Sequence, residues 1–282
     1  YMHYGVVNAD GALAHFIDVP LPGPRLPHDI AFTENFTIFN DLPLFWDPAG
    51  LERGRYASRF HPELPSRFGI VPRYGNSEEI RWFEAQPTYV LHWINAFEDG
   101  DDIVLDGFHQ RSPEPALRPD LSFEENFFRY LDLHTLQTRA YRWRFNMKTG
   151  RCSEAPLTDT ISEFAMINGR YGGQPYRYHY SALPAEGWFG FEGVIKTDLQ
   201  SGHEEVVRLP EGVYASETVM APRQDASSED DGYLVTFTMD VNNDISECLI
   251  LDAAEPSAEP VARVRLPERI SSGTHAFWHA SV

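Results

Sequence analysis

Three histidines, His28, His92 and His275, stand out by their sequence context as candidates to meet on one metal ion. His28 follows Pro27, which fixes the chain's entry, and opens the alternating run Ile30-Ala31-Phe32-Thr33. His92 lies in the apolar stretch Tyr89 to Ile94, where a neutral imidazole needs a partner. His275 follows Ser271-Ser272-Gly273-Thr274 and precedes Ala276-Phe277-Trp278. The competing reading for each, taken alone, is a solvated or hydrogen-bonded polar residue. Of the eleven histidines, His61, His109 and His203 lie in polar, turn-like stretches that read as exposed. His15, His134 and His179 read as strand residues without a distinguishing feature, and His279 is a minor rival to its neighbour His275.

The three candidates are far apart in the chain, and the local zinc signature His-Glu-x-x-His is absent. Only a fold that aims distant segments at one axis can bring them together. The pattern of the chain is of that kind. Short runs rich in Val, Ile, Phe, Tyr, Trp and Thr recur, bounded by Gly, Pro, Asn and Asp. They include Phe36–Phe39, Thr88–Ile94, Ile103–Leu105, Ala140–Asn146, Gly187–Lys196, Glu205–Leu209, Tyr233–Met239, Cys248–Asp252 and Val261–Leu266. Lys148-Thr149-Gly150 and Gln200-Ser201-Gly202 read as hairpin turns. Helical spacing is best in Phe123 to Leu131. The expectation is an all-β chain, a sandwich, barrel or propeller, with its length favouring a propeller. No linker divides it, so residues 1–282 read as one domain.

Composition excludes several functions. Hydrophobic residues make up 42% and charged residues 23%, which suits a globular protein. The net charge of −19 argues against a nucleic-acid partner, because a phosphate backbone needs a basic face. No run approaches the 18 or so apolar residues of a membrane span. Cys152 and Cys248 are the only cysteines, too few for a thiolate metal site or a disulfide framework, which points to a cytoplasmic location. There is no Gly-x-Ser-x-Gly elbow, phosphate loop or dinucleotide fingerprint.

Longer stretches carry a resemblance. They are Leu26-Pro-His-Asp-Ile-Ala-Phe-Thr-Glu-Asn with Asn40-Asp-Leu-Pro-Leu, Pro65 to Arg73, Trp82 to Gly107, Ser162-Glu-Phe-Ala-Met-Ile-Asn, Glu229-Asp-Asp-Gly-Tyr-Leu and Leu266 to His275. In these the chain resembles the carotenoid cleavage oxygenases. Its Ser-Ser-Gly-Thr-His ending is most similar to the bacterial lignostilbene (stilbenoid) dioxygenases.

The resemblance implies a seven-bladed β-propeller, of which this chain covers about four to five blades. It implies an axial Fe(II) held by four histidines, of which three map to His28, His92 and His275. The fourth, and a phenol-recognising tyrosine and lysine, are expected upstream of Tyr1. Of three glutamates that support ligand histidines, two map to Glu163 and Glu217. The alternative for Glu163 is a surface or ion-paired carboxylate, which its apolar surroundings oppose. The implied reaction is cleavage of a conjugated carbon–carbon double bond by O2, giving two carbonyl products from an apolar, aromatic alkene of stilbenoid type. Apocarotenoid cleavage, isomerisation, or a non-catalytic propeller are the alternatives, and a homodimer stays open as the assembly. The chain reads as a fragment that alone is poorly stable, possesses three of four ligands and holds iron weakly.

Overall fold

The structure is a computed structural model that describes residues 2–54, 58–271 and 273–279. It is built almost wholly of antiparallel strands. A two-stranded pair, β1 (Met2–Val7) and β2 (Leu13–Val19), comes first. The first full blade is β3 (Ala31–Phe32), β4 (Phe36–Asp41), β7 (Ser66–Pro72) and β8 (Arg81–Ala85), with the hairpin β5 (Leu44–Trp46) and β6 (Ser58–Phe60) inserted. The second is a meander, β9 (Trp93–Asp99), β10 (Asp102–Gln110), β11 (Thr138–Asn146) and β12 (Cys152–Ile161). The third comprises β13 (Glu163–Met166), β14 (Tyr178–Pro184), β15 (Phe191–Asp198) and β16 (His203–Arg208). In the fourth, β18 (Val219–Pro222), β19 (Gly232–Asp240), β20 (Ile245–Asp252) and β21 (Ala262–Arg265) follow one another. The short β17 (Val213–Ala215) pairs with both β15 and β19 and joins the last two blades into one continuous sheet. Four blades and a strand pair agree with the expected all-β propeller portion.

Aromatic side chains lock neighbouring blades face to face. Phe68 of β7 meets Phe145 and Trp143 of β11 at ring-centre distances of 5.0 and 5.7 Å, and all three are fully buried. Each such side chain contributes about 1.5–3 kcal/mol by leaving water. Because blades cover both faces of a central strand, β10 is buried along nearly its whole length rather than at alternate residues. This explains one departure from the sequence reading. His109 belongs to β10, stacked on Tyr141 at 4.7 Å, and is not an exposed turn residue. His134 likewise sits in the short helix Leu133–Leu136, capped by Asp132, not in a strand. Phe123–Phe128 is helical, started by a capping box between Ser122 and Glu125.

His179 of β14 is fully buried, and neither ring nitrogen has a hydrogen-bond partner among the described residues. Burial, helped by the positive Arg142, pushes its pKa down to about 3. The unfolded chain, with an ordinary value near 6.5, then binds the proton first. The contribution is therefore complete above pH 6.5 and lost as pH falls from there toward 3. About 2 kcal/mol should be gone at pH 5 relative to pH 7.5. Urea denaturation at the two pH values, on the natural protein and on His179→Phe, should show the smaller pH dependence in the variant. Equal dependence in both would clear His179 of the effect.

Candidate metal centre

The innermost strands of the four blades are β3, β9, β13 and β18, and the candidate residues cluster where these strands begin. His28 lies just ahead of β3, His92 immediately precedes β9, Glu163 is the first residue of β13, and Glu217 lies just ahead of β18. His92 is thus in the lead-in to a strand and not within one. Pairing starts at Trp93, whose ring lies across Gly107 of β10. A Cβ there would sit 2.4 Å from that ring, so glycine is required and the register shifts at this point.

The imidazoles face one another. The ring centres of His28 and His92 are 5.2 Å apart at 75°, and those of His92 and His275 are 5.0 Å apart at 82°. Two imidazoles bound at about 2.1 Å to one ion, at a right angle, would hold their ring centres roughly 4.6 Å apart. The observed spacings are wider by a few tenths of an ångström. Among the described residues, no three His, Cys, Asp or Glu groups converge closely enough to make a finished metal cage. What exists is a ring of imidazoles slightly more open than a closed coordination sphere.

The carboxylates sit behind them, out of solvent. Glu163 is wholly buried, and its Oε2 lies 2.7 Å from His92 Nδ1. Glu217 is also buried, with Oε2 3.4 Å from His275 Nδ1, a looser contact, and 2.6 Å from the Ala276 N–H that it accepts. Burial pushes Glu217 up, against the Ala276 hydrogen bond and the neighbouring His275. At His92 burial works downward, but the hydrogen bond and charge of Glu163 outweigh it and the net shift is up. His28 is shifted down by its own burial and by His92, with Asp29 opposing. A carboxylate on Nδ1 fixes that nitrogen as the N–H and leaves Nε2 as the lone-pair donor. His92 Nε2 is buried and has no hydrogen-bond partner among the described residues. An orphaned acceptor beside two further imidazoles is the state expected of a metal ligand. The donor set therefore fits a first-row ion for which imidazole is a good ligand, iron included.

Two residues of the site escaped the sequence reading. Asp29 accepts the Trp93 N–H on Oδ2 at 2.9 Å and so staples the His28 segment to the start of β9. Phe164 places its ring centre 4.5 Å from that of His92 and 5.5 Å from that of His275. The rival His279 is exposed and does not line the cavity. That cavity, about 570 Å³, is bounded by the three imidazoles together with Trp93, Met166 and Phe277. His28 and His275 are exposed, so it is open on their side, whereas the Glu163 side is closed.

The profile of the family described as retinal pigment epithelial membrane protein matches residues 1–280. The chain belongs to that family. It is 35% identical over 99% of its length to a carotenoid 9,10(9',10')-cleavage dioxygenase of Crocus sativus, of which it covers 53%. It is 30% identical over 91% of its length to an apocarotenoid-15,15'-oxygenase of Synechocystis, covering 52% of that protein. Among solved structures, a cobalt-substituted Synechocystis ACO superposes with a TM-score of 0.87 at 27% identity, covering 99% of this chain and 58% of the other. A lignostilbene dioxygenase of Pseudomonas brassicacearum gives 0.84 at 25% identity, covering 99% and 60%. The chain thus spans about half the length of these two curated relatives. Among the described residues no helix is long and apolar enough to cross a membrane.

Proposed function

We propose that the protein carrying this chain is a non-haem iron dioxygenase that splits a conjugated carbon–carbon double bond. The observation that carries the reading is the orphaned, buried Nε2 of His92, flanked by His28 and His275 and backed by Glu163. His28, His92 and His275 would hold the ion, with Glu163 and Glu217 behind them. Bound there, a ferrous ion supplies the redox chemistry that lets O2 add across an alkene.

The remaining work falls to the chain. Glu163 keeps the His92 proton on Nδ1, so Nε2 stays available as donor. Glu217 orients His275 more loosely and also fixes the following Ala276 N–H. Trp93, Met166 and Phe277 offer an apolar wall against which an extended hydrocarbon can lie. No protein side chain need act as nucleophile. The overall balance is one alkene and one O2 to two carbonyl compounds.

Relatives at 33–35% identity are named for carotenoid cleavage, which supports a polyene substrate. The stilbenoid reading is supported by the lignostilbene dioxygenase likeness and the Ser-Ser-Gly-Thr-His segment. Incubation of the complete protein under ¹⁸O2 with an apocarotenoid and, separately, a hydroxystilbene decides between them. The expected result is two carbonyl products, each carrying ¹⁸O, from one substrate class. Recovery of only a rearranged isomer, or of intact substrate from both, would overturn the reading.

A further inference from the structure

The strand that carries Glu163 is irregular at one residue. Glu163 pairs with Ala182 and Met166 with Tyr180, so three steps along β13 match two along β14. The extra residue is accommodated by Phe164, whose φ of 53° lies in the left-handed region. Glycine is the usual occupant of such a bulge, and a bulky side chain enters it only when its surroundings impose it. Asp244 and Gln137 are the other non-glycine residues with positive φ among the described residues. Phe164 is 5% exposed and packs with Leu133, Leu136, Ala182 and Phe191.

Core packing alone accounts for a buried phenylalanine, but not for its backbone. Phe164 does two things at the centre. It donates its N–H to Oε2 of Glu163 at 2.5 Å, the same oxygen that meets His92 Nδ1 at 2.7 Å. It also lays the ring against His92 and His275 at 4.5 and 5.5 Å, supported from behind by Phe189 and Phe191 at 6.0 and 5.0 Å.

We propose that Phe164 is the positioning residue of the centre, its backbone N–H holding the Glu163 carboxylate while its ring packs the His92 and His275 imidazoles in place. This rests on the three-histidine reading above. Residues that orient metal ligands from behind typically set affinity by about 10–100-fold.

The test uses Phe164→Leu, Phe164→Ala and Phe164→Gly in the complete protein, titrated in the apo state with Co(II) and followed by its visible ligand-field spectrum. Ala and Gly are expected to weaken Co(II) binding by about tenfold or more and to shift the spectrum. Leu should recover the apo melting temperature while leaving binding weaker than in the natural protein, which separates the flat ring from mere volume. Gly should melt above Ala, because only glycine accepts the positive φ freely. In apo protein, the ¹⁵N shifts of His92 should move from a single Nδ1–H tautomer toward a mixture in Ala and Gly. Unchanged Co(II) affinity, spectrum and tautomer in all three, with only the melting temperature lowered, would reduce Phe164 to packing and overturn the proposal. A natural protein that takes up no Co(II), or a His92→Ala protein that takes it up unchanged, would overturn the histidine centre itself, and the proposal with it.

Discussion

Replacing His92 by alanine in the complete protein should, on the function proposed above, abolish both stoichiometric metal binding and double-bond cleavage. Its ring lies between the other two, and its Nε2 is the donor that lacks any other partner among the described residues. Two effects add. The proposed ligand is lost, and Glu163 is left as a wholly buried carboxylate that, among the described residues, keeps the Phe164 N–H as its hydrogen-bond donor. Leaving a buried carboxylate without its hydrogen-bond donor costs about 1–3 kcal/mol or more, so this variant should also melt early. His28→Ala removes an exposed ring instead, and should lose metal at little cost in stability. Glu163→Gln keeps an acceptor for Nδ1–H but removes the charge, and should weaken metal binding by about 10–100-fold while the fold survives. Metal content by mass spectrometry, a Co(II) titration and a thermal melt on the same three preparations separate these outcomes. Full metal occupancy in His92→Ala would remove it from the ligand set.

The largest stability effect away from the centre is expected at Asp106. It is fully buried in β10 and receives both Nε and Nη2 of Arg142, each at 2.8 Å, in a bidentate pair across to β11. Tyr176, from the segment leading into β14, donates its hydroxyl to the same carboxylate at 2.7 Å. One carboxylate thus ties the second blade to the third. Asp106→Ala strands the guanidinium and the phenol together, and should cost about 3–5 kcal/mol, a large part of the 5–15 kcal/mol that ordinarily separates folded from unfolded. The double variant Asp106→Leu with Arg142→Met removes both charges and should recover much of that loss. Urea denaturation of the single and double variants measures both. A single variant as stable as the natural protein would mean that the pair contributes nothing net.

The fold and the candidate histidines were legible because each leaves a local trace. Proline ahead of His28, an apolar stretch around His92 and the small residues ahead of His275 all sit within a few positions of the histidine they mark. Strands such as β10 and β19 announce themselves by β-branched and aromatic content. The outer strand β12, running through Cys152-Ser-Glu-Ala-Pro-Leu-Thr-Asp-Thr-Ile161, does not, because its burial is shallow and its sequence correspondingly polar. Asp29 and Phe164 were missed for a different reason. The role of Asp29 depends on a backbone N–H more than sixty residues away, and that of Phe164 on a dihedral angle that no neighbour predicts. His179 looked like an ordinary strand residue, since nothing in Tyr178-His-Tyr-Ser reports that a second sheet closes over it.

The candidate centre touches each blade only at the start of its innermost strand. The hairpins at Lys148–Gly150 and Gln200–Gly202 close their blades at the opposite ends of the strands. Antiparallel pairing makes this a matter of parity: odd-numbered turns of a blade fall on one side of the disc and even-numbered turns on the other. The candidate centre and these two hairpins therefore occupy separate faces. An epitope or a fluorescent domain spliced into either hairpin would ride on the far side, leaving the ring of imidazoles to be altered independently of whatever the other face is made to carry.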